Sequence, residues 1–321
     1  MRILVTGGAG FIGSHLCERL VLEGHAVTAL DNLSTGRASN LANLSDSNNF
    51  TLVTGSILET SVLNPLVNDA DYVFHLAAAV GVFNIVNNPL ASLLTNIRGT
   101  ENILEVAHGT RTPVFLTSSS EVYGKNASDS LRESDNRVLG SPTTLRWSYS
   151  EAKAIDESLA YAYFVEKQLE TRIVRFFNTV GPRQLGAYGM VVPRFVKAAL
   201  ADEPITIYGD GNQTRCFAHV YDVVDAVLAI SFAGSTIGKV INIGNNFEIS
   251  INNLAKKIIQ ETSSNSKVEY IPYSDAYGDG FEDMERRVPN IDLINQLVGW
   301  TPKRDLSSMI ADISAEMKKC S

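Results

Sequence analysis

Two groups of residues in this sequence have the types and spacing that chemistry needs. Tyr149-Ser150-Glu151-Ala152-Lys153 sets a phenol and an ammonium four residues apart, and on a helix positions i and i+4 share one face. A tyrosine serves as a base near neutral pH only if its pKa falls from about 10 to about 7, a cost of roughly 4 kcal/mol. One cation at about 4 Å in an effective dielectric near 20 supplies about that amount, so Lys153 is expected to lower the phenol. Taken alone, the spacing is that of any solvated helix pair. Its context is a hydroxyl-rich strand end, Thr117-Ser118-Ser119-Ser120-Glu121, where Ser119 is placed to share a hydrogen bond with a reacting hydroxyl.

The second group is Gly7-Gly8-Ala9-Gly10-Phe11-Ile12-Gly13. Glycines let the backbone turn tightly and approach a pyrophosphate, and the helix that follows offers free N–H groups and a positive dipole end. The run sits directly between a strand pattern and a helix pattern, the context that separates a dinucleotide loop from a plain glycine turn. Asp31 ends the second strand, 18 residues after Gly13. A carboxylate there accepts from ribose hydroxyls and repels a 2′-phosphate, which favours NAD over NADP. Arg37 nearby reads as a solvated loop charge. With NAD, the positive nicotinamide adds to Lys153 in lowering Tyr149, and the chemistry is hydride transfer from an alcohol carbon.

These residues need elements to carry them. Ile3–Val5, Ala26–Leu30, Thr51–Val53, Tyr72–Leu76, Val114–Leu116 and Ile173–Phe177 read as strands, with helix patterns at Ile12–Glu23, Leu90–His108 and Ser150–Glu166. This alternation predicts an α/β fold, a doubly wound parallel (Rossmann) sheet with helices on both faces. Strands buried on both faces look continuously apolar, as these do. After Gly181 the pattern loosens: a Gly/Pro loop to Pro193, a helix at Phe195–Leu200, a strand at Ile205–Tyr208, a helix at Val220–Phe232 and a strand at Val240–Ile243. From about Phe247 onward, short helices and loops are expected. Ser39–Asn49 reads as a surface loop. The division that follows is an NAD-binding unit over 1–178, rejoined by 216–243, and a smaller C-terminal substrate lobe over 179–215 and 244–321. The lobe is expected along one sheet edge, with the substrate between the two.

Composition narrows the partners. Lys plus Arg is 27 and Asp plus Glu is 35, so the net charge is 27 − 35 = −8. A nucleic-acid binder needs a basic stripe, so that class is set aside. Hydrophobic content of 45% is ordinary for a globular chain. Cys17, Cys216 and Cys320 are far apart and odd in number. They argue against a disulfide framework and a metal site, and for an intracellular, cytoplasmic protein. The first residues pass from strand to glycines with no signal-peptide core. The longest apolar stretch, Tyr72 to Val86, is broken by His75, Gly81 and Asn84, short of the roughly 18 residues a membrane span requires.

Thr6–Gly13, His75-Leu76-Ala77-Ala78, Tyr149/Lys153, Arg175–Arg183 and Tyr208–Phe217 together resemble the extended short-chain dehydrogenase/reductase superfamily, in its NAD-dependent epimerase/dehydratase branch. The resemblance covers essentially the whole chain. Within the branch, Ser119-Ser120-Glu121-Val122-Tyr123-Gly124 resembles an element of UDP-xylose synthase. Arg146-Trp147-Ser148-Tyr149, and Tyr277–Asp283 followed by Arg286-Arg287-Val288-Pro289, resemble UDP-apiose synthase and the decarboxylase domain of the bacterial polymyxin-resistance enzyme. The resemblance implies a cofactor site of Gly7, Gly10, Phe11, Ile12, Gly13, Asp31, Asn32, Ser56, Ile57, Leu76, Ala77, Ala78, Asn96, Ser118 and Lys153. It implies chemistry at Tyr149, Lys153, Ser119, Ser120, Glu121 and Arg287. Substrate contacts would come from Asn178, Val192, Arg194, Tyr208, Arg215 and Arg287, with Asn178 near the diphosphate and the arginines in second-half loops. Ser119 stands where the family usually has threonine. Gly55-Ser56-Ile57 lacks the acidic residue that often meets adenine.

In that family, bound NAD oxidises a nucleotide sugar, usually at C4. For a glucuronic acid, the 4-ketone turns the C6 carboxylate into a β-keto acid, and carbon dioxide leaves. The resemblance therefore points to a UDP-glucuronate decarboxylase. A UDP-sugar 4-epimerase shares nearly every motif except the glutamate. A 4,6-dehydratase would use Glu121 to remove the C5 proton, but Ser120 stands where those enzymes carry aspartate. Glu121 as a structural acceptor, and the chain as a catalytically silent NAD sensor, are the remaining readings. Relatives dimerise through the helices at Leu90–His108 and Ser150–Glu166, so a homodimer is implied. His75 is expected to pack at a strand end, and His219 in the core.

Overall fold

A computed structural model describes residues 1–81, 87–186, 190–272, 275, 284 and 286–319. The Tyr277–Asp283 motif, Cys320 and parts of the 72–86 and 181–193 segments lie outside them. Seven parallel strands form the central sheet. β1 (Arg2–Thr6), β2 (Ala26–Asp31), β3 (Phe50–Thr54), β4 (Tyr72–His75), β5 (Val114–Ser119), β6 (Thr171–Phe176) and β11 (Val240–Ile243) lie in the order β11-β6-β5-β4-β1-β2-β3. The order reverses between β1 and β4, and ligands of such sheets bind at that switch point, beyond the carboxyl ends of the strands.

The strands alternate between two cores because successive side chains point to opposite faces. Ile3, Val5, Val27, Ala29 and Phe115 pack into one core with helices α1 (Phe11–Leu22) and, later in the chain, Val220–Ser231. Leu4, Leu30, Val114 and Leu116 pack into the other with α2 (Thr60–Asp69), α3 (Pro89–Thr110) and α4 (Ser148–Lys167). The sequence reading leaves α2 unassigned. Its Pro65 removes one backbone donor inside the helix, and only Leu63 and Val67 are buried. Ser39–Asn49, read as a loop, contains a 3-10 helix at Ala38–Leu44 whose Leu41 and Leu44 are buried.

A third core lies apart from the sheet. It unites Val180 with α5 (Val191–Leu200), β8 (Ile205–Tyr208), α7 (Ile251–Thr262) and α9 (Leu306–Lys319); α6 is Val220–Ser231. The remaining described strands are short and form three pairs: β7 (Thr179–Val180) with β10 (Ala218–His219), β9 (Thr214–Cys216) with β12 (Glu248–Ser250), and β8 with β13 (Val268–Ile271). Helices of 12 and 14 residues and two strands stand where the tail was expected to be short helices and loops. Residues 291–300, expected in the substrate lobe, pack on the sheet instead. Ile294 of α8 (Asp292–Val298) and Trp300 belong to the first core, and the Trp300 indole donates to Asp222 O at 3.0 Å. The segment 182–183 also meets the sheet layer where α1 begins. His15 bonds Pro182 O at 3.0 Å, and Arg183 donates to Ser14 Oγ at 3.1 Å and to Glu18 at 2.7 Å.

Candidate active site

A cavity of about 1000 Å³ opens at the switch point, between the glycine loop and the third core. The glycine loop forms its first wall. Gly7 has φ +71°, and a Cβ there would lie 2.7 Å from Ala77 N; a Cβ on Gly13 would lie 2.1 Å from Gly7 O. Only glycine gives this close return of backbone on backbone, and it leaves the α1 N-terminus open to the cavity. Asp31 closes the wall. One of its oxygens accepts from Ala9 N at 2.9 Å and the other from Leu33 N at 2.8 Å. A carboxylate has about four acceptor positions, so lone pairs remain for a ribose. Open backbone donors beside a fixed carboxylate suit a dinucleotide, and the residues present fit NAD.

All the expected cofactor residues line this cavity except Asn96. Asn96 is buried, and its amide bonds Ala79 N at 2.7 Å and Ala79 O at 3.3 Å. It pins the 76–79 loop rather than facing a ligand. Ser118 lines the cavity but spends its hydroxyl on Glu157, at 2.5 Å.

The chemical floor lies at the end of β5. The Ser119 hydroxyl accepts from Glu121 N at 3.2 Å and caps the 3-10 turn Ser120–Tyr123. Val122 and Tyr123 anchor that turn in a small core with Leu131 and Phe177. Glu121 thus projects between two arginines. Arg146 Nη1 lies 2.6 Å from one carboxylate oxygen and Arg287 Nη2 2.8 Å from the other, and Arg287 also donates to Ser120 Oγ at 3.3 Å. Burial would raise this carboxyl, but Arg287 and Arg146 hold it at about 2. Distant segments supply the cations. Arg146 comes from the turn before α4, against the Trp147 ring. Arg287 is delivered by a strand-like contact in which Leu131 N donates to Val288 O and Asn290 N to Leu131 O, both at 2.8 Å.

Tyr149 and Lys153 both reach the cavity from α4, but not as expected. Lys153 is buried, and its ammonium donates to Thr117 O at 3.0 Å and to Asp156 at 3.2 Å. The phenol stands above its ordinary value instead of below it. Burial is the largest cause and the Glu121 charge adds to it, against a hydrogen bond with Ser119. The Lys153 ammonium is turned to Thr117 O of β5 and to Asp156.

The substrate side comes from the third core. Asn178, Val192, Arg194, Tyr208 and Arg215 all line the cavity. Arg194 sits on α5 and Arg215 on β9, not in loops. Arg194 stacks 4.4 Å over the Tyr208 ring, and Asn178 donates to Cys216 O at 3.0 Å. His75 lies between Thr6 Oγ1 at 2.8 Å and Thr100 Oγ1 at 3.2 Å, with burial lowering it to about 3; it packs at a strand end, as expected. His219 is buried and caps α6, accepting from Tyr221 N at 3.1 Å. The residue that sequence reading left without a role is Arg146. Its signal was its place three residues before Tyr149.

Comparison with known proteins agrees with this geometry. The model of the NAD dependent epimerase/dehydratase family matches residues 3–244. A UDP-N-acetyl-alpha-D-glucosaminuronate decarboxylase of Bacillus cytotoxicus is 41% identical over 302 residues, 94% of this chain and 92% of that protein. UDP-glucuronic acid decarboxylase 1 of Xenopus tropicalis is 36% identical, over 94% of this chain and 68% of its own length. Among solved structures, a UDP-glucuronic acid 4-epimerase from Bacillus cereus, in complex with UDP-glucuronic acid and NAD, superposes with a TM-score of 0.90 at 28% identity, covering all of both chains. With a dinucleotide cradle, a tyrosine–lysine pair and a matched model spanning most of its length, the chain is an enzyme of the NAD-dependent epimerase/dehydratase family.

Proposed function

We propose that this enzyme decarboxylates a UDP-hexuronate, with UDP-glucuronate as substrate. The observation that carries the reading is Glu121 held between Arg146 and Arg287 against Ser120. Arg287 is fixed by this contact where it lines the cavity, and arginine suits a substrate carboxylate. A 4-epimerase acting on a neutral sugar has no need of such a group.

NAD, held by the glycine loop and Asp31, would supply the hydride acceptor for oxidation at C4 and the donor that reduces it again. Tyr149 removes the proton of the C4 hydroxyl, with Ser119 sharing that hydrogen bond. The resulting ketone is β to the C6 carboxylate. The C5–C6 bond breaks, carbon dioxide leaves, and the electron pair is held as the enolate across C4 and C5. Arg287, held by Glu121, steers the loss of carbon dioxide; a proton from water then adds at C5, and Tyr149 gives its proton back to the C4 oxygen as C4 is reduced. Arg215 and Asn178 hold the nucleotide diphosphate end, with Arg194 and Tyr208 beside it. The third core then serves as the substrate lobe, over 179–215 and most of 244–321.

Purified enzyme incubated with UDP-glucuronate is expected to give a product lighter by carbon dioxide in mass spectrometry. No mass change with a new stereoisomer would replace the reading by 4-epimerisation, and loss of water by dehydration. A second substrate has its own support: the relative at 41% identity is named for the N-acetylglucosaminuronate, so UDP-N-acetylglucosaminuronate belongs in the same assay. We place the enzyme in the cytoplasm as a homodimer. Among the described residues, no helix is long and apolar enough to cross a membrane.

A further inference from the structure

The hydride-transfer scheme leaves one buried charge without a task. Asp156 is fully buried, and its carboxylate lies 3.2 Å from the Lys153 ammonium, one helical turn back on α4. An ammonium has three donors. Lys153 gives one to Thr117 O at the end of β5 and one to Asp156, which leaves one for the cavity it lines. A buried carboxylate is costly unless it is paired, so packing alone does not explain an aspartate here. Other charged groups surround the pair. Glu157, next on α4, is tied to Arg175 of β6 at 2.7 Å. Glu121 is tied to Arg146 and Arg287. His75 of β4, held neutral by burial, also feels the Lys153 charge. With the two glutamates taken by arginines, Asp156 is the carboxylate that answers Lys153.

We propose that Asp156 is a positioning residue for the oxidation step: it fixes the Lys153 ammonium against β5 and offsets the charge that ammonium presents to Tyr149. The offset keeps the phenol protonated until a further cation enters the cavity, so the base is switched on by the bound cofactor rather than by Lys153 alone. The inference rests on the Tyr149 and Lys153 roles proposed above.

In the NAD-loaded enzyme, Asp156→Asn leaves the ammonium unbalanced beside Tyr149. The acid limb of the kcat/KM profile is expected to move to lower pH by about one unit, and Asp156→Glu to move it back. A uniform fall in rate with the limb unmoved overturns the proposal. A second readout needs no turnover. Each single variant, Lys153→Met or Asp156→Asn, strands a buried charge, whereas the double variant removes both. The double variant should therefore melt above either single one; equal or lower melting overturns the pairing. Tyr149→Phe separates the two levels of the reading, because full turnover in that variant removes Tyr149 as the base and leaves the melting order unaffected.

Discussion

At the scale of single residues, the site depends on one carboxylate with two cationic partners. Glu121→Gln keeps the shape but leaves Arg146 and Arg287, both buried, facing each other without an anion. Breaking a buried pair in this way costs about 3 kcal/mol or more of stability. Glu121 also fixes Arg287 beside the reacting group, so the decarboxylation rate should fall about 100-fold. Oxidation at C4 precedes that step, so a pre-steady-state rise in NADH absorbance should survive in the variant. A variant that decarboxylates at the wild-type rate would show that Glu121 is only a structural acceptor. The carboxylate and Arg287 were both legible in the sequence, because each sits in a motif of distinctive order. Their contact was not, since Ser120 and Arg287 stand 167 residues apart and the Leu131–Val288 contact that joins the segments has no local pattern. The same limit explains Asn96 and Arg183, whose residue types suit a ligand but whose partners are Ala79, Ser14 and Glu18.

At the scale of elements, the parallel strands were legible because both of their faces are buried and their apolar runs are unbroken. Helix α2 was not, because a proline and a nearly polar surface hide its period. Helices α3 and α4 were read with their ends a few residues short, and they pack closely on each other. Their exposed apolar residues form the proposed dimer surface. Leu90 at the start of α3 is 68% exposed, and Tyr161 and Val165 of α4 are 51% and 58% exposed. Tyr161 and Val165 stand one turn apart and face the same way. Large apolar groups repeated on one helix face are the mark of an association surface. Light scattering should return twice the 34.9 kDa chain mass, and Val165→Asp with Tyr161→Asp should return a monomer that still binds NAD. A wild-type monomer at assay concentrations would sink the dimer.

At the scale of the whole molecule, two cores meet around groups that are buried without charge. His15 links α1 to Pro182 of the lobe and is lowered to about 4 by burial; His75, beneath the cavity, is lowered to about 3. An unfolded histidine titrates near 6.5. The unfolded chain therefore binds protons that the folded one refuses, and stability rises with pH wherever that holds. Both histidines contribute fully above about 6.5, and the contribution is lost as pH falls through the unfolded value toward the folded ones. Between pH 7 and 5 each costs on the order of 2 kcal/mol. His219 is lowered too and adds in the same direction, whereas Glu133 and Asp156, both raised by burial, oppose it. Glu121, held near 2, loses nothing in this window, because a depressed carboxyl stabilises until the pH drops below its unfolded value. The urea midpoint of the NAD-free enzyme should thus climb steadily from pH 5 to pH 7, and His15→Gln should flatten the climb by about half of what the two histidines supply. A midpoint that stays level across that range would mean that the two cores do not hold these rings neutral in solution.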